Sequence, residues 1–153
     1  MGRASAIRSG SDLTARDYVK DPAEIYRQSF ATIEAEADLA RLPSSLRKIA
    51  RRMIHACGMT DLVADIAWEG DPVAAARAAL AAKAPIFCDA QMVASGIIRD
   101  RLSGSEIVCT IGDPRVADLA LQLGTTRSAA QVELWRGRLA GAVVAIGNAP
   151  TSL

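Results

Sequence analysis

Aromatic side chains are scarce: two Phe, two Trp and two Tyr stand among 153 residues, against 30 alanines. Half the chain is nevertheless apolar, so it is no disordered tail, and its core has to be filled by closely approaching helices and slim aliphatic side chains. An excess of one charge is missing too. Eighteen Lys and Arg face seventeen Asp and Glu, for a formal net charge of +1, which excludes a chain-wide footprint on nucleic acid or an anionic membrane and leaves only local patches for anions. Long hydrophobic runs are absent. Stretches such as Ala140–Ala145 fall far short of the ~20 residues of a membrane span, so the sequence predicts a soluble chain. The three cysteines, Cys57, Cys88 and Cys109, lie 31 and 21 positions apart. That spacing suits neither a disulfide framework nor a zinc pair, and it points to small core residues in a reducing cytoplasm. Met1–Arg16 lacks the apolar block of a signal peptide and reads as a mobile leader ahead of a single domain over residues 17–153. There is no glycine-rich dinucleotide loop, P-loop or nucleophile elbow, and only one histidine, so no cofactor and no metal is implied.

What is present is a series of helix starts and short apolar runs. Asp21-Pro22-Ala23-Glu24 combines a capping carboxylate, a first-turn proline and an acid three places after the cap, and predicts a helix carrying Tyr26, Phe30, Ile33 and Ala37 as its apolar stripe, with Ser29 beside it. After Arg41-Leu42-Pro43, Ser44 or Ser45 caps a second helix with Leu46, Ile49, Met53 and Cys57 as its stripe and Gly58 as its stop. Met59–Trp68 fits a short helix as well as a strand. Asp71-Pro72 starts an alanine-rich helix to about Lys83, and Pro85 introduces the buried strand Ile86-Phe87-Cys88. Glu106–Ile111 reads as a second strand, Gly112-Asp113-Pro114 as the next helix start, and Gly124 as that helix's stop. Thr125 or Thr126 caps a further helix through Leu134 and Trp135, and Val143–Gly147 is a third strand. Three short apolar strands separated by helices predict an α/β layered domain with a mostly parallel sheet covered on both faces.

In such sheets ligands gather where the carboxyl ends of strands lead into helix starts. Three loops qualify: Asp89-Ala90-Gln91, Gly112-Asp113-Pro114 and Asn148-Ala149-Pro150. Asp113 is explained as a helix cap, whereas Asp89 and Asn148 have no such simple role and are candidate ligand contacts. His55, the only histidine, falls four residues after Arg51 near the carboxyl end of its helix. There the dipole favours the imidazolium and the guanidiniums of Arg51 and Arg52 oppose it, which makes His55 a candidate for proton exchange with a ligand. Arg47, Arg51 and Arg52 otherwise suit a solvated helix face. Arg127 sits in the first turn of a helix, where a cation loses stability unless an anion is bound beside it. Arg99 and Arg101, ahead of the second strand, are surface-loop residues able to face a polyanionic ligand.

Five runs taken together carry a resemblance: Ile25–Phe30, Arg52–Gly58, Pro85–Ala90, Thr126–Ala129 and Val143–Thr151. In this order they resemble the precorrin-8X methylmutase (precorrin isomerase) family of cobalamin biosynthesis, from about Tyr18 to Leu153. The resemblance implies a flavodoxin-like, three-layer α/β fold, a homodimer, and an isomerase that needs no metal or redox cofactor. Its reaction would move a methyl group between adjacent carbons of one ring of a tetrapyrrole to give hydrogenobyrinate. Residue by residue it assigns the proton-handling histidine to His55, the active-site serine to Ser29 and the substrate-binding arginine to Arg127. Asp89, Asn148 and Arg99 join these as substrate-binding candidates. Two positions depart from the family pattern: Ile98 where a threonine is expected in the loop after the first strand, and Thr125 where an asparagine precedes the arginine. The resemblance also implies a further strand, helix and glycine-rich loop past Asn148–Thr151, which the 153 residues do not include. The alternative from another class is a non-catalytic subunit, or an inactive fragment, that holds a tetrapyrrole or other polycarboxylate without rearranging it.

Overall fold

The computed structural model describes residues 18–153; the leader expected over residues 1–16 lies outside them. Two compact units make up the chain, Met1–Ala67 and Trp68–Leu153.

The first unit is a pair of helices with two 3₁₀ turns. Helix α1 (Pro22–Glu36) starts as its sequence dictates: Asp21 accepts the N–H groups of Ala23 and Glu24 at 3.2 and 3.3 Å, and Pro22 occupies the first turn. Glu24 does not reach back to the cap, because its carboxylate is taken by Arg27 and Gln28. Ile33 and Ala37 are buried as the stripe predicts, whereas Tyr26 is half exposed. Helix α2 (Ser44–Cys57) begins directly after Pro43 with no side-chain cap and ends at Gly58, whose φ of 74° lies in the left-handed region that favours glycine. Its buried stripe is Leu46, Ala50 and Ile54, at steps of four. This corrects the expected stripe. Ile49 and Met53 are 44% and 42% exposed, and Cys57 is an exposed thiol, not a core residue. Ala50 and Ile54 lie 100° around the helix from Ile49 and Met53, and the row with the smaller alanine is the buried one because Ala50 lets the helices approach closely. Residues Thr60–Asp65 form a 3₁₀ turn, which settles the segment that suited helix and strand equally.

The second unit is α/β. Helix α3 (Pro72–Ala81) is capped by Asp71, which accepts from Ala74 N–H at 3.0 Å. Strand β1 (Ile86–Cys88), helix α4 (Gln91–Gly96), strand β2 (Ile107–Val108), helices α5 (Arg115–Leu123) and α6 (Arg127–Ala130), and strand β3 (Val143–Ala145) follow. The strands form an all-parallel sheet in the order β2-β1-β3, with Ile86 opposite Ile107 and Val143. Both β2 and β3 are shorter than the β-branched runs that announce them. Helix α6 continues past Ala130 as a 3₁₀ turn over Gln131–Trp135.

Alternation along β1 explains the packing. Ile86 and Cys88 point to one side, into a cluster with Ala94 of α4, Leu80 of α3, and Val143 and Ala145 of β3. Phe87 points to the other, where its fully buried ring lies 5.3 Å from Trp135. Each face of the central strand is thus covered, as a parallel sheet requires.

Candidate functional site

In the first unit the chemistry gathers on His55. The α2 helix delivers it in its last turn, and α1 presents Tyr26, Ser29 and Phe30 at steps of three and four, hence on one face. Ser29 Oγ shares a 2.6 Å hydrogen bond with His55 Nδ1. Tyr26 stacks on the imidazole with centroids 4.8 Å apart and planes inclined by 27°, while Phe30 meets it edge-on at 5.5 Å. One nitrogen is therefore engaged and the ring is held by two aromatic neighbours, while Nε2 makes no hydrogen bond among the described residues. Arg51 forms an ion pair with Glu34 and stands over the Phe30 ring at 5.7 Å. A hollow of about 220 Å³ is lined by Ser29, Thr32, Glu36, His55 and Thr60 among others.

In the second unit, the carboxyl ends of the strands carry the remaining candidates. Asp89 follows β1 directly and is only 1% exposed. Its Oδ1 accepts Gly147 N–H at 3.1 Å, and its Oδ2 accepts Asn148 and Ala149 N–H at 2.9 and 2.6 Å. Burial pushes this carboxyl up, but the main-chain donors of Ala149, Gly147 and Asn148 outweigh burial and hold it below the ordinary carboxylate value. Both oxygens are thus spent on the loop after β3, so Asp89 holds that loop in place. Asn148 is exposed at the tip of the same loop. Gly147 is required there by close approach: a Cβ at this position would lie 2.9 Å from Val93 Cγ2 of α4.

Arg127 opens α6. Thr126, rather than Thr125, is the cap, accepting Ala129 N–H at 3.1 Å. The Arg127 guanidinium donates to the Ile111 carbonyl at 2.9 Å; no carboxylate pairs with it among the described residues. A hollow of about 520 Å³ beside it is lined mostly by apolar groups, Ala117, Ala120 and Leu121 among them. The loop bearing Asn148 is tied to this helix, since Thr126 Oγ1 lies 3.0 Å from Thr151 Oγ1 and Ser152 Oγ donates to the Ser128 carbonyl at 2.9 Å. Asp89, Asn148 and Arg127 are thereby joined through hydrogen bonds at one edge of the sheet. Arg99 is exposed in a 3₁₀ turn after α4. Asp113 stands one residue ahead of Pro114, the residue from which α5 starts without a side-chain cap, and its carboxyl pairs with the Arg115 guanidinium at 2.7 Å and accepts Arg115 N–H at 2.9 Å, which lowers it to about 2.

Sequence reasoning passed over two groups. Tyr26 was visible only as a stripe residue, although its spacing to Ser29 and Phe30 already placed all three on one face. Gln131 gave no signal, because its partner is 42 residues away: its Nε2 donates to the Asp89 carbonyl at 2.7 Å, and its Oε1 accepts from Thr110 Oγ at 3.3 Å. Trp135 Nε1 donates to the same Thr110 hydroxyl at 2.8 Å. The Cys88 thiol is pushed up by burial, with Cys109 and Asp89 adding to the effect, so it is an inert core group. Among the described residues no group of three His, Cys, Asp or Glu side chains is arranged to hold a metal, and no helix is long and apolar enough to cross a membrane.

Comparison with known proteins supplies the context for these groups. Residues 24–153 match the precorrin-8X methylmutase family. The precorrin-8X methylmutase of Pseudomonas aeruginosa is 55% identical over 138 residues, covering 90% of this chain and 66% of that protein. The enzyme of the same name from a Sinorhizobium species is 54% identical, with the same coverage. Among solved structures, the precorrin-8X methylmutase of Thermus thermophilus superposes with a TM-score of 0.72 at 34% identity, covering 84% of this chain and 64% of that one. The chain thus spans just under two thirds of the length of these relatives.

Proposed function

The chain belongs to the precorrin-8X methylmutase family, and on that premise we propose that it carries the isomerase chemistry of cobalamin biosynthesis, with His55 as its proton-handling group. The observation that carries this reading is the 2.6 Å contact between Ser29 Oγ and His55 Nδ1, on a ring stacked by Tyr26 and met edge-on by Phe30.

The reaction is an internal rearrangement: as the bond from the methyl group to one ring carbon breaks, its bond to the neighbouring carbon forms, and no atom enters or leaves. A proton shared between His55 Nε2 and the macrocycle selects the tautomer in which that shift is easiest, and it returns to the imidazole when the shift is over. Ser29 holds the ring orientation through Nδ1, so the donor is aimed before the ligand arrives. The substrate is a tetrapyrrole bearing several carboxylate arms. A guanidinium such as that of Arg127 binds such an arm through paired N–H groups, and an anion there also relieves the conflict between a cation and a helix start. Asn148 and Arg99 are further polar contacts for the arms. Family resemblance supports a cytoplasmic homodimer as the working form.

The test separates turnover from binding. With His55→Ala, conversion of precorrin-8X to the corrin product, followed by its visible spectrum, should fall by ~10²-fold or more. Affinity for hydrogenobyrinic acid, titrated in the same way, should change only a few-fold. Loss of affinity with turnover per bound ligand unchanged would make His55 a binding group and not the proton-handling one, and ligand binding without any turnover by the unaltered protein would leave a binding protein in place of an isomerase.

A further inference from the structure

The carboxylate of Asp89 is the most deeply buried charge-bearing group described, and both of its oxygens are taken by the main chain. It accepts three successive main-chain N–H groups, those of Gly147, Asn148 and Ala149. On its other side, its own carbonyl accepts from the fully buried Gln131, which in turn accepts from the Thr110 hydroxyl, itself the acceptor of Trp135 Nε1–H. Beyond Ala149 the chain makes a turn over Pro150–Ser152, and that turn is bonded to the start of α6 by Thr151 to Thr126 and by Ser152 to Ser128. Thr126 is also the cap of α6, the residue immediately before Arg127. An unbroken series of hydrogen bonds therefore runs from the end of β1, through the Asn148 loop, to the helix that carries the guanidinium.

We infer that Asp89 is a positioning residue: it sets the Asn148 loop and, through Thr151 and Thr126, the placement of Arg127 for a carboxylate-bearing ligand. The ligand class rests on the function proposed above; the linkage itself does not. The chemistry of the carboxylate makes the inference sharp. Two acceptor oxygens serve three donors, so an amide in its place always turns an NH2 group toward at least one of the N–H groups it should accept. Asp89→Asn keeps the shape and breaks the set.

Two readouts separate the linkage from the ligand. In Asp89→Asn the amides of Gly147, Asn148 and Ala149 should exchange with solvent about tenfold faster or more, and the capped amide of Ala129 with them, while the amides paired between β1 and β2 keep their protection. Affinity for hydrogenobyrinic acid should fall about tenfold, whereas affinity for its uncharged methyl ester stays within about twofold, since the ester offers a guanidinium no carboxylate. Faster exchange confined to residues 147–149 would overturn the inference, and so would equal losses for acid and ester. A second variant, Thr151→Val with Ser152→Ala, cuts the same series nearer to Arg127 and guards against a misfolded Asp89→Asn. It should speed exchange at Ala129 and weaken the acid while the amides at 147–149 stay protected; an unaffected Ala129 would overturn the linkage. If the unaltered protein binds neither acid nor ester, the proposed function fails, and exchange alone decides for or against the linkage.

Discussion

A carboxylate that is 1% exposed is tolerated only when its oxygens are filled, because burial without partners costs several kcal/mol. Asp89 meets that condition with main-chain donors alone, and the balance of burial against three N–H groups leaves its proton affinity below the ordinary value of 3.8. A group whose folded value is depressed adds stability at every pH above its unfolded value and loses it as pH falls through the folded one. Urea unfolding of the intact protein should therefore show stability dropping as pH falls below 3.8, with a shallower drop in Asp89→Asn over the same range. An identical slope in the two proteins would mean that folding does not lower this carboxyl at all. His55 illustrates the opposite arrangement: one nitrogen is committed to Ser29, Tyr26 stacks on the ring and Phe30 meets it edge-on, yet the second nitrogen has no hydrogen-bond partner among the described residues.

Among the elements, α2 is where residue type and packing disagree. Its larger apolar side chains, Ile49 and Met53, stay half exposed while Ala50 and Ile54 are buried. Ile54→Ala should cost ~2–5 kcal/mol by leaving a cavity beneath the helix. Ile49→Ala should cost less than ~1 kcal/mol, since the better helix propensity of alanine offsets part of the lost contact. Thermal melts of the two variants check this, and equal losses would contradict the assigned stripe. The helix starts at Asp21-Pro22 and Asp71-Pro72, the stops at Gly58 and Gly124, and strand β1 were all legible, because each is written in neighbouring residues. What escaped reading depends on distant partners. Ala50 beats Ile49 only when a second helix lies against it, and β2 shrinks to Ile107–Val108 because pairing with β1 extends over just those residues.

Taken over the whole molecule, each of the two units carries its own candidate groups. Met1–Ala67 holds the histidine with its serine and aromatic neighbours, and Trp68–Leu153 holds the sheet edge where Asp89, Asn148 and Arg127 are linked. The candidates themselves were legible from the sequence: His55 as the single histidine and Arg127 as a cation misplaced at a helix start. The partnership of Ser29 with His55 needed the family resemblance, since 26 residues separate them, and the role of Asp89 needed the fold. The most direct measurement is the pair of nitrogen-15 resonances of His55, recorded with and without hydrogenobyrinic acid. Proton exchange through Nε2 predicts that the Nε2 resonance moves on binding while Nδ1, held by Ser29, stays nearly fixed; a ligand that binds and moves neither nitrogen, or only Nδ1, would contradict it.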